Sequence, residues 1–514
     1  MNSRAGNKNS KLWLIIVVVL VVVCCCCLVL VLAGVVYLQS ENMTLEEVFS
    51  NPEEVEQPLL DVTRVPSQEM EEQAPPQEQL MPENPIPLTE MEDYLIAIAT
   101  SGVWKVNEAT QEVIQLSNDV LDAPQPYRHG LSPDKKYFAY ITGEYAPTLV
   151  VLDMQTNSII LETPLSGPNS QIKPDMNAGD PGQSVLLAMQ FYGSLAWSPD
   201  SSRLAFVAAM DNFSTDLYLF NPTDLSVTRL TDEASNAAHI NWSPDGYFIQ
   251  YVTVNNFGTG AGMDMDAVWV YDTGQGVPKM LEQSISSGED FLAWIDNKSF
   301  YMNSWSAACA NYNLRTVDAV TGNQEVILES CFSGAAYEPE SQFGLVTVSD
   351  ILVGSCQCGV VEDYGTYSFG ASIGMSDVKI KKFEYLNAYS VELLEPGNIF
   401  AVYTDAGLSH LFDNTGYPIP IPEEVAGMMP SLSPNQEYSA WHPYYGDQTG
   451  LWVTDNQMNV FDLYALSSTN SIWSDDGNRL YYSEFARIFY ADAPDFGSTL
   501  FAEIPEGEIL AIGK

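Results

Sequence analysis

Leu195-Ala-Trp-Ser-Pro-Asp-Ser-Ser-Arg-Leu-Ala-Phe206 reads as a strand, a tight turn and a second strand. Ser198 suits the first turn position, Pro199 pre-sets φ at the second, and Asp200 tolerates the third while bonding its local backbone. Trp197 precedes the turn, and Leu204 and Phe206 alternate after it, as one buried face of a strand requires. Close copies follow the same order of residues: Leu131-Ser-Pro-Asp134, Trp242-Ser-Pro-Asp-Gly246 and Trp473-Ser-Asp-Asp-Gly477. Looser ones are Leu432-Ser-Pro-Asn435, Trp294-Ile-Asp-Asn297, Tyr337-Glu-Pro-Glu340 and Leu394-Glu-Pro-Gly397. A β-rich run succeeds the turn, as in Tyr137-Phe-Ala-Tyr140 and Ile399-Phe-Ala-Val-Tyr403. The turns start at 132, 198, 243, 295, 338, 395, 433 and 474, so the spacing runs from 38 to 66 residues. A period of about 40 to 50 residues with several strands per unit is the signature of a β-propeller.

The phrase resembles the repeat of TolB-type, WD-like β-propellers, a Trp-Ser-Pro-Asp-Gly turn followed by an Ile/Leu-Ala-Phe strand. The resemblance covers about residues 94–514. It is specific at the turns starting at 132, 198, 243 and 474 and looser at the other four. It implies four antiparallel strands per blade, the turn joining the innermost strand to the second. For the best copy these strands are 194–197, 203–207, 216–220 and 226–230. Three further short strands, 94–98, 103–106 and 112–116, look like a blade without its inner strand, which residues 508–512 are placed to supply. Closing the ring in this way removes exposed sheet edges. One composite unit plus eight makes nine. Rings of about four to eight are the usual range, so the expectation is an all-β propeller of eight blades, with seven as the alternative and one unit short of a full blade.

The propeller is expected to follow a membrane anchor. Residues 1–11 carry Arg4, Lys8 and Lys11 and no acid, and 12–38 are almost wholly apolar. That run exceeds the roughly 20 residues a bilayer needs and the roughly 7–15-residue core of a cleavable signal. The basic flank before it puts the N-terminus in the cytoplasm and the propeller outside the cytoplasmic membrane, in a single-pass protein. Cys24, Cys25, Cys26 and Cys27 lie inside the span and read as small apolar residues of a packed helix. Residues 39–93 form a Pro-, Glu- and Gln-rich linker in which 15 acids face one base, Arg64. Such a composition cannot bury enough surface to fold alone.

Charge excludes one class of partner. Residues 41–514 hold 17 bases and 67 acids, a balance of −50. Nucleic acid binding needs Lys and Arg against phosphate, so no nucleic acid is expected. The expected partner is an extracytoplasmic protein, peptide or glycan. Rival readings are a central-channel enzyme of the lyase or glycosidase kind and a structural component of the envelope.

Four cysteines lie beyond the apolar span: Cys309, Cys331, Cys356 and Cys358. In the four-stranded scheme all four fall in loops of one face, which makes them disulfide candidates in an oxidising compartment. A four-thiolate zinc site lacks its usual paired spacer. Gly370-Ala-Ser-Ile-Gly374 matches a nucleophile elbow around Ser372, yet that elbow needs a strand-to-helix turn in a parallel sheet; no catalytic residue is assigned. His129 and His239 fall on expected inner strands and read as channel fillers. No cofactor is expected; Asp264 and Asp266, in a Gly-rich loop, are the pair suited to Ca²⁺. The long loops share a face and carry the candidate binding residues Phe257, Trp305, Tyr364, Tyr444 and Tyr445, with Asp264 and Asp266 beside them. Aromatic anchors on a rigid scaffold are where recognition concentrates.

Overall fold

The structure, a computed structural model, describes residues 93–514 apart from 120–128, 175, 177–179, 191–192, 258–262, 284–286, 307–312, 330–331, 349–364, 371–379, 385–387, 389, 395–398, 405–406, 444–449, 464 and 466–469. The described residues form nine four-stranded antiparallel sheets. Blade 1 comprises Tyr94–Ala99, Gly102–Asn107 and Val113–Ser117, with Ile509–Gly513 as its inner strand. Blade 2 comprises His129–Leu131, Tyr137–Thr142, Thr148–Asp153 and Ser158–Pro164. Blade 3 comprises Leu195–Trp197, Leu204–Ala208, Asp216–Asn221 and Ser226–Arg229. Blade 4 comprises Asn236–Trp242, Phe248–Phe257, Met263–Asp272 and Val277–Gln283. Blade 5 comprises Ser287–Trp294, Ser299–Ser306, Asn313–Asp318 and Gln324–Glu329. Blades 6 to 9 span 332–384, 390–419, 429–462 and 471–503.

The expected eight blades are therefore nine. Seven of the eight repeated turns, loose copies as well as close ones, join an inner strand to a second strand. The turn at 395–398 lies outside the described residues between two such strands, and the composite blade is complete. Each repeat is one blade and the composite unit is the ninth, so the ring exceeds the usual range of about four to eight. The terminal strand pairs antiparallel with the opening one, Ile96 opposite Gly513 and Ala97 opposite Ile512.

Burial explains why second strands carry near-continuous apolar runs. A strand wedged between two neighbouring blades is covered on both faces, so alternation is lost. Tyr94, Ile96 and Ile98 pack with Phe138, Tyr140 and Leu152 of blade 2. The alternate residues Leu95 and Ala97 pack with Tyr481, Ile488 and Phe501 of blade 9. Shared buried clusters span the remaining junctions, which closes the ring. Outer strands, such as Ser226–Arg229, are largely exposed.

The turn chemistry repeats atom for atom. Ser198 Oγ donates to Asp200 Oδ1 at 2.6 Å and accepts the Arg203 amide at 3.0 Å. Ser132, Ser243, Ser433 and Ser474 make the same pair of bonds, with Asn435 standing in for the acid in blade 8. The Ser198 hydroxyl holds the Asp200 carboxyl below its ordinary value, and Ser474 does so for Asp476. The Trp before the turn ties blades together. The indole of Trp197 donates to Gly130 O, that of Trp242 to Ala196 O and that of Trp473 to Ser431 O, at 3.0–3.2 Å. Each acceptor lies two residues before the Ser, or its counterpart, of the preceding blade.

The turns between third and outer strands open on the same side as the Ser-Pro-Asp turns; this is the turn face. The opposite loop face carries the longer connections. One of them, read from sequence as loop, holds a helix, α1, at Pro181–Gln190. Asp180 followed by Pro181 is a helix-start signal. Val185, Ala188 and Met189 of α1 join the core of blades 2 to 5. Among the described residues no helix is long and apolar enough to cross a membrane. The expected span at 12–38, and the linker but for Asp93, lie outside the described residues, as do all four disulfide candidates, Cys309, Cys331, Cys356 and Cys358.

Candidate functional site

The second and third strands of blade 4 are ten residues each and reach beyond their neighbours on the loop face. Phe257 ends the first of them, and the sequence suggested an exposed ring there. It is 7 % exposed and belongs to the core, its amide bonded to Ser184 Oγ of α1 at 3.3 Å. The helix that covers it was the part of the loop not foreseen. Asp264 is exposed. Asp266 accepts from Ser235 Oγ at 3.0 Å and Thr253 Oγ1 at 3.2 Å, so hydroxyls take up this carboxylate. Trp305 falls on the strand Ser299–Ser306 opposite Gly288, its side chain outside the described part. Tyr364, Tyr444, Tyr445 and Ser372 lie outside the described residues. Among the described residues no group of three or more His, Cys, Asp or Glu is arranged to hold a metal ion.

His239 lies on the inner strand of blade 4, with φ of 58° where the pairing register shifts. A non-glycine residue in this region is strained. Gly193 lies against it: a Cβ there would meet the His239 Cα at 3.3 Å, and Ile240 donates its amide to Gly193 O at 2.9 Å. Burial pushes the imidazole down to about 4, so it is neutral at neutral pH. His129 shares the corresponding strand of blade 2, its side chain outside the described part.

Blade 3 presents a buried acid on the loop face. Asp216 opens the third strand with its side chain fully enclosed. Arg229 Nη2 lies 2.6 Å from one carboxylate oxygen and 2.5 Å from Asp232. Thr231 and the Glu233 amide donate to the other oxygen of Asp216 at 3.3 and 3.2 Å. Burial outweighs these donors and pushes Asp216 up to about 6. Tyr251 of blade 4 donates to Glu233 Oε1 at 3.2 Å, which ties the two blades at this edge.

A cavity of about 480 Å³ lies on the turn face, where blade 1 meets blade 9. Sequence reading missed it, because its walls come together only on closure. Five carboxylates line it, Asp93, Glu108, Asp475, Asp476 and Asp492, against two bases, both of them paired. Lys514 Nζ lies 2.5 Å from Glu108, and Arg479 pairs with both oxygens of Asp492 at 2.5 and 2.9 Å. Tyr481 donates to Glu108 Oε2 at 3.0 Å, and burial pushes its phenol up to about 12. The arrangement joins the two ends of the ring.

No family model and no curated protein matches the chain. Among solved structures it is similar to a eukaryotic initiation factor, at 13 % identity over 82 % of this chain and 99 % of that one, with a TM-score of 0.48. Dipeptidyl peptidase 4 of Porphyromonas gingivalis aligns at 10 % identity over 75 % and 60 %, with a TM-score of 0.47. TolB proteins are also among the neighbours; that of Acinetobacter baumannii aligns at 13 % identity over 73 % and 81 %, with a TM-score of 0.27. The architecture rests on the strand pairing described above, and none of these likenesses bears on activity.

Proposed function

We propose that this chain is an interaction module, a rigid ring whose loop face recognises a protein, peptide or glycan outside the cytoplasmic membrane. Residues 12–38 would hold it there, a reading that rests on their apolar run and basic flank. The observation that carries the proposal is the difference between the two faces. Short hydroxyl-locked turns occupy one face, whereas α1 and the ten-residue strands of blade 4 build up the other. A scaffold that varies one face and standardises the other is arranged as a recognition surface.

Site-specific photo-crosslinking in the native membrane tests this. A crosslinker at Asn256, exposed on the loop face, should capture a partner; one at Tyr247, 60 % exposed on the turn face, should not. Capture from Tyr247 alone would overturn the assignment of the face.

A further inference from the structure

Two connections on the loop face, between the second and third strands of blades 2 and 3, end in exposed rings. Tyr145 is 39 % exposed and Phe213 58 %. Neither sits on a loose loop. Leu165 donates its amide to Pro147 O at 2.8 Å, Ala209 donates to Leu165 O at 2.7 Å, and Gly167 donates to Ala209 O at 2.8 Å. Asn169 Nδ2 then reaches Asp211 O at 3.2 Å, and Gln190 of α1 donates to Glu144 O at 2.9 Å. The two tips are thus joined by hydrogen bonds into one ribbon, and holding a ring there costs little further ordering on binding.

The surroundings of the rings are acidic. Glu144 precedes Tyr145, Asp211 lies two residues before Phe213, and both acids are exposed, as is Asp232. Arg229 on this face is engaged by Asp216 and Asp232, which leaves the exposed Lys173 of the connection between blades 2 and 3 as the counter-charge to these acids. An exposed ring beside carboxylates attracts guanidinium and ammonium groups through its face as well as through charge. An anionic ligand is repelled by these acids.

Resting on the recognition role proposed above, we infer that the ribbon carrying Tyr145 and Phe213 docks a basic, Arg- or Lys-bearing segment of a protein partner, with apolar side chains between its charges. The rings take the apolar side chains and the cation faces, and Glu144 and Asp211 take the charges.

The test uses the full-length chain in detergent micelles. The probe is a labelled peptide alternating Arg and Leu, with a Glu–Leu peptide as its counterpart, and binding is followed by fluorescence anisotropy. Changing Tyr145→Ser with Phe213→Ser should weaken binding of the Arg–Leu peptide about tenfold, as loss of aromatic anchors does. Tyr247→Ser with Tyr417→Ser, exposed rings of the turn face, should change it less than about twofold. A second variant, Glu144→Gln with Asp211→Asn, keeps the rings, and should weaken binding and flatten its dependence on salt. Equal weakening by the turn-face pair, or equal binding of the Glu–Leu peptide, overturns the inference. If the crosslinker at Asn256 still captures a partner in that case, the recognition face stands and only the basic-segment assignment falls.

Discussion

Blades 4 and 5 are neighbours that make the same turn from different chemistry. In blade 4 the buried Ser243 accepts the Phe248 amide at 2.9 Å and donates to Asp245 at 2.7 Å. Blade 5 has Ile295 at that position. There the exposed Asp296 accepts the amides of Lys298 and Ser299, both at 2.7 Å. Blade 6 uses a third solution: the carboxylate of Glu338 accepts the amides of Glu340 and Ser341 at 2.6 Å. The turn is a demand for acceptors facing the chain's own amides, and several side chains meet it. Blade 1 is the extreme case. It has no such turn, because its inner and second strands come from distant parts of the sequence.

The largest effect should come from breaking blade 1. Deleting residues 506–514 removes Ile509 and Ile512 from the seam and leaves the strand Tyr94–Ala99 as an open edge. At roughly 1.5–3 kcal/mol for each buried side chain, about 3–6 kcal/mol of stability is lost. Thermal unfolding of the full-length protein reads this directly. A melting temperature equal to that of the intact chain would mean that blade 1 does not depend on its borrowed strand.

This comparison also shows what was legible in the sequence. The repeat exposed itself through Ser198, Ser243 and Ser474, whose chemistry is local and leaves a fixed spacing. Glu338 does the same work from the same position and Asp296 from the next one, without the hydroxyl, so blades 5 and 6 carry only loose copies of the phrase. Eight instead of nine follows from the usual range of ring sizes. The inner strand at 509–513 was readable because an apolar tail faced three unpaired strands. Helix α1 was not recognised, although Asp180-Pro181 marks its start, because the propeller pattern made every long connection look like loop. That misreading also put Phe257 on the surface. Tyr145 and Phe213 stand on short, bonded connections, whereas loop length in the sequence points to anchors elsewhere.

The next effect separates the two ways of closing a turn. Ser243→Ala leaves the Phe248 amide without its acceptor in a site closed to water, and should cost about 1–2 kcal/mol. Asp296→Ala exposes its amides to solvent, which replaces the lost carboxylate, and should cost about 0.5–1 kcal/mol. The hydroxyl turns add a pH dependence. Because Ser198 holds Asp200 below its ordinary value, the ionised carboxylate favours the folded state at neutral pH. That contribution is lost as pH falls through the lowered folded value, and Ser198→Ala should diminish it. Chemical denaturation of the variants, repeated in acid for Ser198→Ala, checks both. Equal costs for Ser243→Ala and Asp296→Ala would show that burial of the turn does not matter.

The smallest effect is the most discriminating, because packing cancels. Trp242 and Trp294 hold the same place before their turns and are 8 % and 5 % exposed. The indole N–H of Trp242 donates to Ala196 O of the preceding blade at 3.0 Å. That of Trp294 is buried and finds no acceptor among the described residues. Replacing either by Phe removes similar apolar volume, so the transfer and cavity costs are close to equal. Only Trp242→Phe also removes a bond between blades, whereas Trp294→Phe removes a donor whose burial already costs stability. Trp242→Phe should therefore be the more destabilising by about 1–2 kcal/mol, measured by urea unfolding of each variant against the parent. Equal losses would mean that the indole bond adds nothing beyond packing. The link between blades 3 and 4 would then be apolar contact alone, as it is between blades 4 and 5 at this position.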